Sequence, residues 1–339
     1  MIDPEKVAAH LDVLAKPKGS LGRLEDLAVR LGSIQGTLAP ETKPRRLIVF
    51  AGDHGVVNDG VGVWPQAVTG AMIGVIAAGR ASCSALAAAL DVSVTLVDVG
   101  SAVSEAPGGG VYRDRRVTRG TASLAHGPAM TPDQFWKAWM AGQAAVADAR
   151  ADGVRLLGVG EIGIGNTTAA AALIALACEQ DSDPLVGAGA GSTAETLERK
   201  RAVVRSAVAR SRTLIEDDPV AAMAGIAGFE IVAMAGAIAA AGDAEMPVVL
   251  DGVVSGAAAI VAQAVDPAGL ETAIASHVSA EPAHRIALEQ LGLEPYLDWG
   301  LRLGEGTGAL LMMPLLDAAA ALLKNVAKLD EVTAGAGST

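Results

Sequence analysis

The chain packs 339 residues into 34.0 kDa, about 100 Da per residue, so small side chains dominate it. Its 40 glycines and 15 prolines are too few for a collagen-like or disordered chain, and 51% hydrophobic against 19% charged residues is enough to bury a large core. A net charge of -12 excludes nucleic acid as the expected partner, because phosphate backbones are bound by neutralising cations.

The first thirty residues read as helical, and MIDPEKVAAHLDVLAKPK has no basic start followed by an apolar run, so no signal peptide is expected. Buried strands are expected at Arg46–Phe50, Ser93–Val97, Val154–Leu157 and Val248–Leu250, which are short, apolar and bounded by Gly or Asp. Helical runs lie at 68–90, 132–151, 167–179, 194–213, 219–241 and 256–264. Strand alternating with helix predicts a parallel sheet covered on both faces. The run from Gly308 to Val332 is helical again, and TAGAGST after it is expected to fray. Pro219–Gly242 is long enough to cross a membrane, but Glu230 near its middle favours a buried helix, so no membrane partner is expected. Cys83 and Cys178 sit in apolar helical contexts, make no disulfide framework and fit a cytoplasmic protein.

Several strands end in a glycine and a carboxylate: Asp53, Asp98, Glu161 and Asp251. In open parallel sheets ligands bind outside the carboxyl ends of the strands, so these acids are candidates for one cleft; the alternative is that Asp and Gly are ordinary turn residues. His54 follows Asp53 and joins that set. Gly158-Val159-Gly160-Glu161-Ile162-Gly163 matches the dinucleotide fingerprint, but no second strand ending in an acid follows about twenty residues on, as that fingerprint requires. Gly163-Ile164-Gly165-Asn166-Thr167-Thr168 leads into an Ala-rich helix and suits a phosphate at a helix N-terminus; Thr167 or Thr168 could equally be an N-cap. No Lys follows these glycines, so this is not a Walker loop. Gly187–Gly191 is a second glycine loop, followed by Arg199, Lys200 and Arg201, which read either as anion ligands or as a solvated helix face. Leu303-Gly304-Glu305-Gly306 sets one carboxylate among glycines before an apolar helix, as a general base or as a helix-start Glu. The histidines have no metal-ligand spacing, and no G-x-S-x-G is present.

Six segments together, KPKGSLGRLEDLA (16–28), AGDHGVVNDGV (51–61), GEIGIGNTT (160–168), VVLDGVVSGAAA (248–259), SHVSAEPAHR (276–285) and LRLGEGTGALLMMPLLDAA (301–319), resemble the nicotinate-nucleotide:dimethylbenzimidazole phosphoribosyltransferase family nearly end to end. The resemblance implies an α/β fold with a Rossmann-like, six-stranded parallel sheet covered by helices in a large domain, 31–307. A small helical domain would come from both termini, 1–30 and 308–339. It implies a homodimer without cofactor that moves the phosphoribosyl group of nicotinate mononucleotide to a benzimidazole-type base. Glu305 would then take the proton of the base, the loop of Gly163, Ile164, Gly165, Asn166 and Thr167 the 5'-phosphate, with Lys200 adding positive charge. Glu161 would lie near the ribose, and Asp53, His54, Asp251 and Leu303 are further cleft-lining candidates. The chain departs from the family at Ala188 and Ala190, where an arginine and a hydroxyl are common, and at Gly62 and Ala71, read as the places of a serine and a glutamine beside the base. The alternatives are a catalytically silent nucleotide-binding protein of the same fold, or an NAD-dependent dehydrogenase.

Overall fold

The computed structural model of the protein describes residues 2–189 and 191–336. Along Arg45–Gly52 (β1) successive side chains point to opposite faces, and both sets are apolar: Ile48 and Phe50 on one side, Leu47, Val49 and Ala51 on the other. Such a strand belongs in a sheet covered on both faces. It lies at the centre of six parallel strands, with Ser93–Gly100 (β2), Tyr112–Asp114 (β3), Leu156–Ile162 (β4), Val248–Leu250 (β5) and Ala273–Ala275 (β6) in the order β3-β2-β1-β4-β5-β6. The register pairs Ile48 with Thr95 on one side and Val159 on the other. Because the order reverses between β1 and β4, the crevice at their carboxyl ends is the switch point where doubly wound sheets bind ligands.

On the Ile48/Phe50 face lie Pro132–Ala151 (α5), Asn166–Ala177 (α6), Ala194–Arg212 (α7), Pro219–Ala224 (α8), Phe229–Asp243 (α9), Val253–Val265 (α10) and Ala283–Leu291 (α11). Few aromatics are needed because helices meet at glycines: a Cβ on Gly142 of α5 would overlap the Ala233 carbonyl of α9, and one on Gly236 would overlap the Trp139 carbonyl. The Leu47/Val49 face carries Pro4–Asp12 (α1), Arg23–Ile34 (α2), Ala67–Ala77 (α3), Ser82–Ala89 (α4) and Thr307–Asn325 (α12). The two chain ends are therefore packed together on that face, with Leu14 bridging to Lys328 ahead of Leu329–Ala336 (α13).

Several sequence expectations change. Thr333–Ala336, expected to fray, continue α13, while 337–339 lie outside the described residues. The run 68–90 is two helices: Gly79, with φ +73°, ends α3, and Arg80 N–H closes back on the Val75 carbonyl at 3.0 Å. The run 219–241 is also broken, at 225–228, between α8 and α9. Thr307–Asn325 and the stretch Ala67–Ala89 are apolar and long enough to cross a membrane, but α12 buries Ala309, Leu310, Met312, Met313 and Leu316 completely against the sheet and α2.

Gly158 and Gly160 are inside β4 and not in a loop after it. They are glycines because α12 lies across them: a Cβ on Gly158 would stand 3.0 Å from Met313 Cε, and one on Gly160 would overlap the Gly306 nitrogen. This removes the geometry on which a dinucleotide fingerprint depends, and with it the structural basis for the dehydrogenase alternative.

Candidate active site

At the β1/β4 switch point opens a cavity of about 390 Å³, a size typical of small-molecule sites. It brings together Glu161, Gly163, Ile164, Gly165, Asn166, Thr167, Lys200, Leu303 and Glu305.

The first wall is the turn from β4 into α6. Gly165, with φ +94°, caps the helix in the left-handed region, where a Cβ would come within 2.8 Å of Val57. Asn166 and Thr168 turn their N–H groups back onto the Gly163 and Gly165 carbonyls at 3.2 and 3.0 Å, and Ile164 N–H bonds Thr69 Oγ1 at 3.1 Å. The N–H groups of Gly165 and Thr167 take no partner among the described residues, as expected at the open end of a helix suited to an anion.

Lys200 comes to the same wall from α7. Its neighbours Arg199 and Arg201 point outward to Glu195 and Glu198, whereas Lys200 is buried and donates to Thr167 Oγ1 at 2.9 Å and the Gly187 carbonyl at 3.0 Å. Burial lowers its pKa to about 8, against a smaller opposing effect of Glu281. The second glycine loop lies alongside, with Gly189 N–H donating to Glu281 Oε1 at 2.9 Å. Ala188 also lines the wall; Ala190 is outside the described residues.

Opposite stands Glu305, 4% exposed and with φ +60°, a conformation that costs an L residue about 1–2 kcal/mol. Gly304 and Gly306 flank it at φ +88° and +79°, so the Gly-Glu-Gly spacing follows from three successive left-handed residues. The loop is held from three sides. Asp251 Oδ2 and Oδ1 accept from Gly306 and Gly308 N–H at 3.0 and 2.7 Å, the Glu161 carbonyl accepts from Glu305 N–H at 3.2 Å, and Cys83 N–H donates to Glu305 Oε2 at 3.2 Å. Glu161 receives the Asn166 amide. Burial, then the charges of Asp251 and Glu230, raise Glu161 to about 8 against the Asn166 bond, so it is mostly protonated at neutral pH.

Asp53, His54 and Asp251 do not line the cavity. Asp53 Oδ2 stitches the β2 end through Ala102 N–H at 2.7 Å, Asp251 holds the Glu305 loop, and His54 pairs with Glu230 behind the wall. Asp98 likewise closes its own turn through Ser101 N–H at 2.8 Å. The turn-residue reading therefore describes Asp98, whereas Asp53 and Asp251 tie their strand ends to distant loops, and of these four acids Glu161 lines the cavity. Gly62 lines the cavity but Ala71 does not; Trp64, Val68 and Met72 supply the apolar lining from this segment.

Sequence reasoning missed Glu281, His277 and Arg302 as lining residues. The segment SHVSAEPAHR held the signal for the first two, a polar cluster after a short strand. Its two histidines stack edge to face at 6.0 Å, with His284 lowered to about 3 by burial and then by His277. Among the described residues no group of three or more His, Cys, Asp or Glu is placed to hold a metal ion.

A cavity at the switch point of a doubly wound sheet, lined by an open helix N-terminus and a buried carboxylate, is the arrangement of a small-molecule enzyme of the α/β class. The chain belongs to the phosphoribosyltransferase family, which matches residues 4–333. It is 44% identical to nicotinate-nucleotide–dimethylbenzimidazole phosphoribosyltransferase of Thermus thermophilus over 95% of this chain and 96% of that one, and 43% identical to the protein of the same name from Azotobacter vinelandii over 94% and 90%. The crystal structure of CobT from Thermus thermophilus superposes with a TM-score of 0.92 at 42% identity, covering 97% of this chain and 98% of that one.

Proposed function

We propose that this chain transfers the 5-phosphoribosyl group of nicotinate mononucleotide to 5,6-dimethylbenzimidazole, giving α-ribazole 5'-phosphate and nicotinate. The observation that carries this reading is that Glu305 and the Gly163–Thr167/Lys200 wall face one cavity, although they are far apart in sequence. The phosphate sits on the Gly165 and Thr167 N–H groups with Lys200 beside it, and Glu161 lies by the ribose. The pyridinium nitrogen of the nucleotide is already cationic, so the C1'–N bond breaks with its electron pair going to nicotinate. A benzimidazole nitrogen forms the new bond to C1' from the opposite face, which inverts that carbon. The ring is then cationic, and its other N–H passes its proton to the Glu305 carboxylate. Val68, Met72, Ile162 and Leu303 suit the apolar body of such a base. Incubation with nicotinate mononucleotide and either dimethylbenzimidazole or adenine, with the product identified by mass and anomer, tests the reading; no nucleoside phosphate from either pair refutes it.

Two expected results follow from the nucleotide wall. Gly165→Val raises the nucleotide KM by about tenfold or more while the KM for the base stays within twofold, because φ +94° and the contact with Val57 forbid the side chain without touching the opposite wall. A defect towards the base alone would reassign the loop. Nucleotide KM also depends on pH. Lys200 is charged below about 8 and Glu161 becomes charged above about 8, so both changes weaken phosphate binding as pH rises. Between pH 7 and 9 steady-state kinetics should give a nucleotide KM increase of about tenfold, the loss of charge on a single lysine over that interval. A flat profile excludes Lys200 as a phosphate partner.

The reading extends to assembly and location. Val63 and Leu303 at the cavity are 49% and 59% exposed, and exposed apolar side chains at one site mark a contact surface. A second copy of the chain covers them in a closed two-fold dimer of about 68 kDa, twice 34.0 kDa, working in the cytoplasm. Light scattering at micromolar concentration checks the assembly, and a fully active 34.0 kDa particle overturns it.

A further inference from the structure

Behind the nucleotide wall lies a buried ion pair that the transfer chemistry does not use. His54 Nε2 and Glu230 Oε1 are 2.6 Å apart, with side chains 1% and 0% exposed, and Glu230 Oε2 has no hydrogen-bond partner among the described residues. Withdrawing two such groups from water costs several kcal/mol, and apolar residues of similar volume often hold a core as well or better. An unpaired buried oxygen adds to that cost. Stability therefore does not account for the pair, but its location does.

Glycines bring the loop close to it. A Cβ on Gly163 would overlap the Gly52 carbonyl and stand 3.6 Å from Glu230 Oε1, and one on Gly165 would stand 3.4 Å from His54 Cβ. On the far side, a Cβ on Gly228 would overlap His54 Cε1. Four glycines, 52, 163, 165 and 228, thus leave the room in which the pair presses on the turn. The charged groups facing His54 are Glu230 from α9 and Asp53 from its own strand end; burial alone would lower its pKa, but these two raise it overall. Glu230 in turn faces Glu161 on β4.

We infer that the His54–Glu230 pair is a positioning element for the phosphate loop, fixing Gly163–Gly165 so that the Gly165 and Thr167 N–H groups converge on one anion. This rests on the assignment of that loop to the nucleotide.

The test uses the full chain, wild type beside Glu230→Ala and the nearly isosteric Glu230→Gln, which keeps an acceptor for His54. The alanine variant is expected to raise both the nucleotide KM and the inhibition constant of inorganic phosphate by about tenfold, and the glutamine variant by about threefold, with kcat and the KM for the base within twofold. Unchanged nucleotide KM and phosphate inhibition in a variant that merely melts earlier overturns the proposal, as does an equal rise in both KM values. If Glu230→Ala does not fold, Glu230→Gln decides by the same split. Inorganic phosphate also serves without turnover, through the melting temperature. A wild type that phosphate does not stabilise overturns the loop assignment and this proposal with it, whereas equal stabilisation of wild type and variants overturns the proposal alone.

Discussion

Replacing Glu305 by Gln is expected to leave the fold intact and to lower kcat by about a hundredfold or more, the usual range for removing a general base. The glutamine can occupy the same left-handed position, since Gly304, Gly306 and the Asp251 clamp set the backbone there, and its carbonyl oxygen can still accept from Cys83 N–H. What it cannot do is accept the proton that the new glycosidic bond makes acidic. Steady-state turnover together with an unchanged melting temperature checks this. Near-normal turnover would move the role to Glu161, which shares the cavity.

The second large effect is expected at a residue with no chemistry. Gly160→Ala adds one methyl group to β4, where it meets the Gly306 nitrogen, the Glu305 carbonyl carbon at 2.5 Å and Gly306 Cα at 2.6 Å. All three are backbone atoms, so no rotamer change relieves the clash and the Glu305 loop must move. Overpacking of this kind costs about 1–3 kcal/mol, and a displacement of about 1 Å at a reacting group can cost up to a hundredfold in rate. Kinetics and thermal melting on the same sample should report a kcat loss of about tenfold or more alongside a lower melting temperature. A variant that melts earlier but turns over normally would mean that the loop can shift without moving the carboxylate.

Much of this arrangement was legible in the chain. Alternating strand and helix signals gave the sheet, and the runs at 132–151 and 194–213 match α5 and α7 to within a residue. The three-residue strands β3 and β6 were not visible, because three residues at a sheet edge carry no periodicity. Gly158 and Gly160 misled for a definite reason: a glycine needed for close approach of a helix looks like a glycine needed for a turn. The glycine loop, Lys200 and Glu305 each carry a local signature, and the fold brings them to one cavity. Long-range partners had none. Cys83 donates its backbone N–H to Glu305, 222 positions away, and Glu230 stood out in the sequence only as a charge in an apolar stretch, with nothing to connect it to His54, 176 positions earlier.

The place of α12 also orders events in time. Leu47, Val49, Leu156, Val249 and Ile274 form the sheet face that α12 completes, and the loop carrying Glu305 is the lead-in to that helix. During synthesis on the ribosome every strand and α1–α4 are made before residues 307–325 emerge, so a nascent chain with all six strands still exposes the part of that aliphatic face that α12 covers. Exposed apolar surface of that kind promotes aggregation, and the same helix that covers it brings Glu305 to the cavity.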